Sequence, residues 1–126
     1  MVIIAVGLDA TDIPRIEETL AKFGDRFLRC VFTDGEITYA MRRRRPGPHL
    51  AARFAAKEAA MKALGTGFSH GVVWRDIEVF RHQGPPQLRF HGVSAQRFAA
   101  LGATRSLLTL THAETLALAQ VLFLAD

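Results

Sequence analysis

The sequence predicts an α+β fold, with helices in the first half packed on a mainly antiparallel sheet supplied by the second. Three observations carry this. Helix start and stop signals recur between Thr11 and Gly67. After Gly67 the pattern turns to short apolar or alternating runs, "DIEVF", "PQLRFH", "SLLTLTH" and "TLALAQVLF". A chain of 126 residues, 49% hydrophobic and 22% charged, fits one domain over 1–126 with a core that needs no staples.

The elements follow in order. Val2–Leu8 is apolar and β-branched and reads as a buried central strand ending at Gly7-Leu8-Asp9. "TDIPRIEETLAKFG" reads as a helix capped by Thr11 or Asp12, with Pro14 in its first turn and Gly24 as its stop. Asp25 opens a short second helix through Arg29. "TDGE" at Thr33–Glu36 has the spacing of a capping box and starts a third helix running to about Arg43. "RPGPH" (Arg45–His49) breaks the chain, and a long alanine-rich helix follows, stopped by Gly65. On a helical wheel Leu50, Phe54, Met61 and Leu64 share one stripe, and the alanines form a flat face for close packing. "GPP" at Gly84–Pro86 marks a hairpin turn. "SAQRFAALG" reads as a short helix with Ser94 as its cap.

Composition excludes several functions. Cys30 is the lone cysteine, so no intrachain disulfide or cysteine-based zinc site can form, which fits a reducing cytoplasm. His49, His70, His82 and His91 lack metal-ligand spacing. The apolar N-terminus has no basic leader and reaches Asp9 too early for a signal peptide or membrane span. The net charge of +4 concentrates in Arg42–Arg45, Arg53 and Lys57, a field without acids that suits any polyanion. Only Phe54 interrupts it with an aromatic, which disfavours the competing reading of a nucleic-acid or acidic-partner binding domain.

Taken alone, each chemistry-bearing residue has an ordinary reading beside a functional one. Asp9 is a turn residue or a ligand group at a strand end. Glu58 pairs with Lys62 or Lys57 on a solvated face, or joins a second carboxylate around Mg²⁺ with a substrate phosphate completing the shell. The glycines of "GTG" (Gly65–Gly67) follow their helix, so they make a helix stop rather than a phosphate loop, though they leave room for a phosphate beside the backbone. His112 is structural or donates to a ligand.

Two motifs decide between these readings. "GLDATDIPRI" (Gly7–Ile16) and "RFAAKEAAMKALGTG" (Arg53–Gly67) resemble the two signature elements of the holo-[acyl-carrier-protein] synthase family, the small 4′-phosphopantetheinyl transferases. Weaker echoes at "FTDGE", Gly84–Pro86 and "LTLTHAETLALAQV" extend the likeness over most of the chain. The resemblance implies transfer of phosphopantetheine from coenzyme A to a serine of an apo acyl carrier protein, in fatty acid or specialised synthesis. It implies that Asp9 and Glu58 ligate Mg²⁺ and that Lys62 contacts the attacked phosphate. Arg53, Lys57, Gly65, Thr66, Gly67 and His112 would frame coenzyme A between subunits of a homotrimer. Arg15, assisted by Arg26, would meet the acidic carrier. The run Arg42–Arg45 has no fixed family counterpart and is offered for the 3′-phosphate. Ala10, Gly35 and Thr111 depart from the family pattern without removing a charge from the inferred site.

Overall fold

The N-terminal apolar run forms a strand, but at an edge rather than in the centre. In a computed structural model describing residues 1–126, β1 (Val2–Asp12) pairs antiparallel with β5 (Leu116–Ala125), which pairs antiparallel with β4 (Arg105–His112). The sheet order is β1-β5-β4, so β5 is central. β1 runs on to Asp12 and turns Val2, Ile3, Val6 and Leu8 to the outside. The continuous apolar run suggested burial on both faces, but helices cover only one face of this sheet. A separate hairpin, β2 (Ile77–Phe80) with β3 (Gln87–Phe90), flanks it, so the four runs of the second half divide between two sheets.

The helices follow their caps. In α1 (Ile13–Phe23), Asp12 accepts the Arg15 N–H at 3.2 Å and Gly24 closes the end. The next helix, α2 (Asp25–Val31), extends two residues past the expected Arg29. The capping box of α3 (Asp34–Met41) is complete, with Thr33 and Glu36 bonding reciprocally, and the helix stops short of Arg43. "RPGPH" is less a break than a start: Pro46 is the first residue of α4 (Pro46–Leu64), where a missing N–H costs nothing. α5 (Gly92–Ala100) begins earlier than expected, and Ser94 lies inside it rather than capping it. The Ser94 hydroxyl is buried and hydrogen-bonds to the Asp76 and His91 carbonyls.

α4 is the axis of the molecule. Its alanines meet Val121 and Phe123 of β5 and Ile77 and Val79 of β2 in one core cluster. Its first turns meet Ile13, Leu28 and Phe32 of the helical layer in another. The expected stripe and flat face therefore merge into a helix buried almost all round. Gly7 lets β1 come this close, since a methyl there would overlap the Ala59 carbonyl oxygen.

Candidate active site

The close approach at Gly7 sets the geometry of the first pocket. Two residues further along the same face of β1, Asp9 is mostly buried beside α4. Lys62 donates to Asp9 Oδ1 at 3.0 Å and to the Leu8 carbonyl at 2.9 Å, and the Thr11 hydroxyl donates to Asp9 at 3.2 Å. Lys62 thus reaches across to β1 instead of pairing along its own helix with Glu58. Glu58 and Asp9 line one cavity of about 320 Å³ with Thr11, Asp12, Arg15 and Phe54. Burial pushes the Glu58 carboxyl above its ordinary 4.5, the nearby Asp9 charge adds to this, and Lys62 opposes both. Two carboxylates that repel each other across a cavity offer oxygen ligands to a divalent cation.

A second pocket, of about 220 Å³, opens from the same helix in another direction. It gathers Tyr39, His49, Arg53, Arg81, Thr111 and His112. At 3.6 residues per turn, Glu58 lies about 140° around α4 from Arg53, so the two pockets share no lining residue. Arg53 is 4% exposed and stacks on the Tyr39 ring at 4.0 Å, while Arg43 covers that ring at 4.1 Å. Arg53 gives one hydrogen bond, to the His49 carbonyl at 3.3 Å, and its buried Nε has no partner. Burial and then the charges of Arg53, Arg43 and His112 hold the His49 imidazole below its ordinary pKa. Partial burial opposes ionisation of Tyr39, but the Arg81 hydrogen bond and the charges of Arg43, Arg53 and Arg81 outweigh it and lower its pKa. The pocket is strongly cationic. Tyr39, His49 and Arg81 escaped the sequence reading because no spacing links them; the fold alone brings them together.

One sequence expectation needs correction. Lys57 does not face a ligand: its side chain and that of Glu36 are both 0% exposed and 2.8 Å apart. Burial lowers the Lys57 pKa and Glu36 opposes that. The "GTG" is a helix stop, as its place after the helix implied. Gly65 caps α4 in the left-handed region at φ 78°, and the N–H groups of Gly65, Thr66 and Gly67 all turn back to the Met61 carbonyl. Thr66 is buried and donates to the Gly67 carbonyl. The loop is held by aromatic stacking, Phe68 on Trp74 at 5.0 Å and Trp74 on Phe54 at 4.9 Å.

Arg15 lines the rim of the Asp9 pocket. Arg26 lies with Phe23 and Cys30 along a shallow groove that shares Thr19 and Phe27 with that pocket. The two arginines therefore border one continuous surface of α1 and α2. Within the run Arg42–Arg45, Arg45 is engaged by Glu17 through two bonds of 2.9 Å.

Comparison with known proteins converges on one family. The family model described as 4′-phosphopantetheinyl transferase superfamily matches residues 5–119. A holo-[acyl-carrier-protein] synthase of Koribacter versatilis is 46% identical over 121 residues, covering 95% of this chain and 97% of the relative. The crystal structure of the Neisseria meningitidis synthase superposes with a TM-score of 0.87 at 31% identity, covering 97% and 98% of the two chains. A Bacillus anthracis synthase in complex with CoA (3′,5′-ADP) gives 0.80 at 31% identity, covering 98% of each chain. With its Asp9–Glu58–Lys62 cluster, this chain belongs to the 4′-phosphopantetheinyl transferase superfamily and, within it, to the holo-[acyl-carrier-protein] synthases.

Proposed function

We propose that the protein transfers the 4′-phosphopantetheine group of coenzyme A to a serine hydroxyl of an apo acyl carrier protein. The observation that carries this is that Asp9 and Glu58 line one cavity beside α4 while Lys62 bonds Asp9 from outside it. The serine hydroxyl gives its proton to solvent as its oxygen bonds to the phosphorus bearing pantetheine, the bond from that phosphorus to the bridging oxygen breaks, and adenosine 3′,5′-bisphosphate leaves. Such a reaction asks the protein for positioning and charge rather than covalent chemistry. Asp9 and Glu58 suit Mg²⁺, which binds through one or two carboxylates completed by water and phosphate oxygens. When bound there it would neutralise the diphosphate. Lys62, half exposed and bonded to Asp9, supplies an ammonium next to that cavity for a phosphate oxygen. Arg15 and Arg26 offer guanidinium groups to acidic residues of the carrier.

Arg53 and His112 are assigned to coenzyme A in the second pocket, and within the arginine run Arg43 stacks on the Tyr39 ring of that pocket's lining. Because the two pockets diverge on one protomer, a ligand bridging both needs a neighbour. We assign the outer face of the three-stranded sheet to that contact, in a homotrimer. Val6, Leu8, Leu107 and Leu116 are 38–57% exposed there, and the row Val6–Leu122–Leu107 runs unbroken across the strands. No helix is long and apolar enough to cross a membrane. The exposed Cys30 thiol accords with a reducing cytoplasm.

Incubation with coenzyme A, Mg²⁺ and a panel of apo carriers should add the phosphopantetheine mass to at least one carrier. No mass gain with any of them would refute the assignment. Asp9→Asn and Glu58→Gln should each abolish turnover while circular dichroism stays unchanged. Wild-type rates in either would remove the metal from these residues.

A further inference from the structure

The Glu36–Lys57 pair is the most completely desolvated ionic contact in the protein, and it lies one residue from Glu58. Glu36 Oε1 accepts from the Thr33 N–H at 2.7 Å and from Lys57 Nζ at 2.8 Å, while Oε2 accepts from the Val79 N–H at 2.7 Å. Lys57 Nζ also donates to the Trp74 carbonyl at 3.1 Å and to the Ile77 carbonyl. An ammonium has three donors, so Lys57 has none left for a ligand. The pair ties together the start of α3, the middle of α4, the 3-10 turn at Trp74–Asp76 and β2.

We propose that Glu36 and Lys57 are positioning residues that fix the rotation of α4 about its axis and so aim Glu58 at Asp9. Alanines make up much of the buried surface of α4, and their short methyls set its rotation less sharply than longer side chains would. A group at the helix surface stands about 5–6 Å from the axis, and a rotation of about 10° moves it by about 1 Å. A displacement of that size costs on the order of 100-fold in rate. Breaking the pair on one side leaves an unpaired buried charge that pulls toward water. Removing both charges lets the helix settle on its packing. This role rests on the transferase reading above.

The test compares Glu36→Gln, Lys57→Met and the double variant with wild type. In each single variant the unfolding midpoint should fall, and kcat per coenzyme A-binding protein should drop about 10- to 100-fold. The Mg²⁺ concentration for half-maximal rate should rise several-fold, which loss of folded protein alone would not produce. KM for coenzyme A should stay within about twofold of wild type. The double variant should do better than either single one in midpoint, kcat and Mg²⁺ dependence, short of wild type because the Trp74 and Ile77 carbonyls lose their donor. A raised KM in Lys57→Met that persists in the double variant would place Lys57 on the ligand and overturn the proposal. So would a double variant no better than the worse single one. If the single variants do not fold, the double variant decides alone, by a KM near wild type or one about tenfold higher. The unfolding cycle reads the pair without the reaction: absent coupling there sinks the pair, whereas a wild type that transfers nothing sinks the function.

Discussion

Lys62 is bound on one side only: its ammonium bonds Asp9 and Leu8, and its outer side meets solvent. Lys62→Ala is therefore expected to keep the fold and to lower kcat/KM on the order of 100-fold, the cost of losing one charged donor to a phosphoryl transition state. Steady-state assays set against thermal melts check this, and an unchanged rate would release Lys62 from its role. Glu78 carries a pH dependence of its own. Partial burial raises its pKa, but hydrogen bonds from His91 and Thr33 and the Arg89 charge outweigh burial and hold it below the ordinary 4.5. A depressed carboxylate contributes stability that is complete above its unfolded pKa and lost as pH falls through its folded value. The melting temperature should thus drop as pH falls below about 4.5 partly through Glu78, and Glu78→Gln should flatten that drop. At this scale the sequence was legible in which residues become neighbours: Asp9 and Glu58, from the two motifs, line one cavity, and Lys62 bonds Asp9. It misled for Lys57, because burial is decided by what packs on α4 and not by the helix's own residues. Glu36 was legible as a cap, but not as the buried partner of Lys57.

Between β1 and α4 a missing methyl sets the distance. Gly7→Ala should abolish or severely weaken folding, because the obstacle is the Ala59 backbone and cannot turn aside. Gly65→Ala should be milder. Its space is open except for the Arg97 side chain, so the left-handed φ of 78° is the main penalty, about 1–2 kcal/mol. Melts of the two variants side by side test the ranking, and equal losses would contradict it. Caps made α1 and α3 readable, since Asp12 and the Thr33–Glu36 box act within four residues. Pro46 and Ser94 were misread for the same local reason. A proline forbids a helix interior but suits a first turn, and a serine near a helix start can serve a distant carbonyl such as that of Asp76. The wheel of α4 failed because layers on nearly every side erase amphipathicity.

For the whole molecule, the partition into helices first and strands later was legible from punctuation and periodicity. The strand order was not, because the pairing of Val2 with Ala125 is a contact between distant segments that no local pattern records. The uncovered sheet face makes the assembly testable. Sedimentation should give a trimer, and Val6→Lys or Leu107→Lys should shift it toward monomer with loss of turnover. A wild-type monomer with full activity would refute the shared site. The β1–β5 pairing also has a consequence in time. Asp12 leaves the ribosome 104 residues before its partner Leu116, and at about 5–20 residues per second that is a wait on the order of 5–20 s. During it Val2, Ile3, Val6 and Leu8 form an unpaired sticky segment, and Asp9 has no strand to hold it. The nascent chain must keep this stretch from aggregating until the last strand arrives, and only then can the first carboxylate take its place.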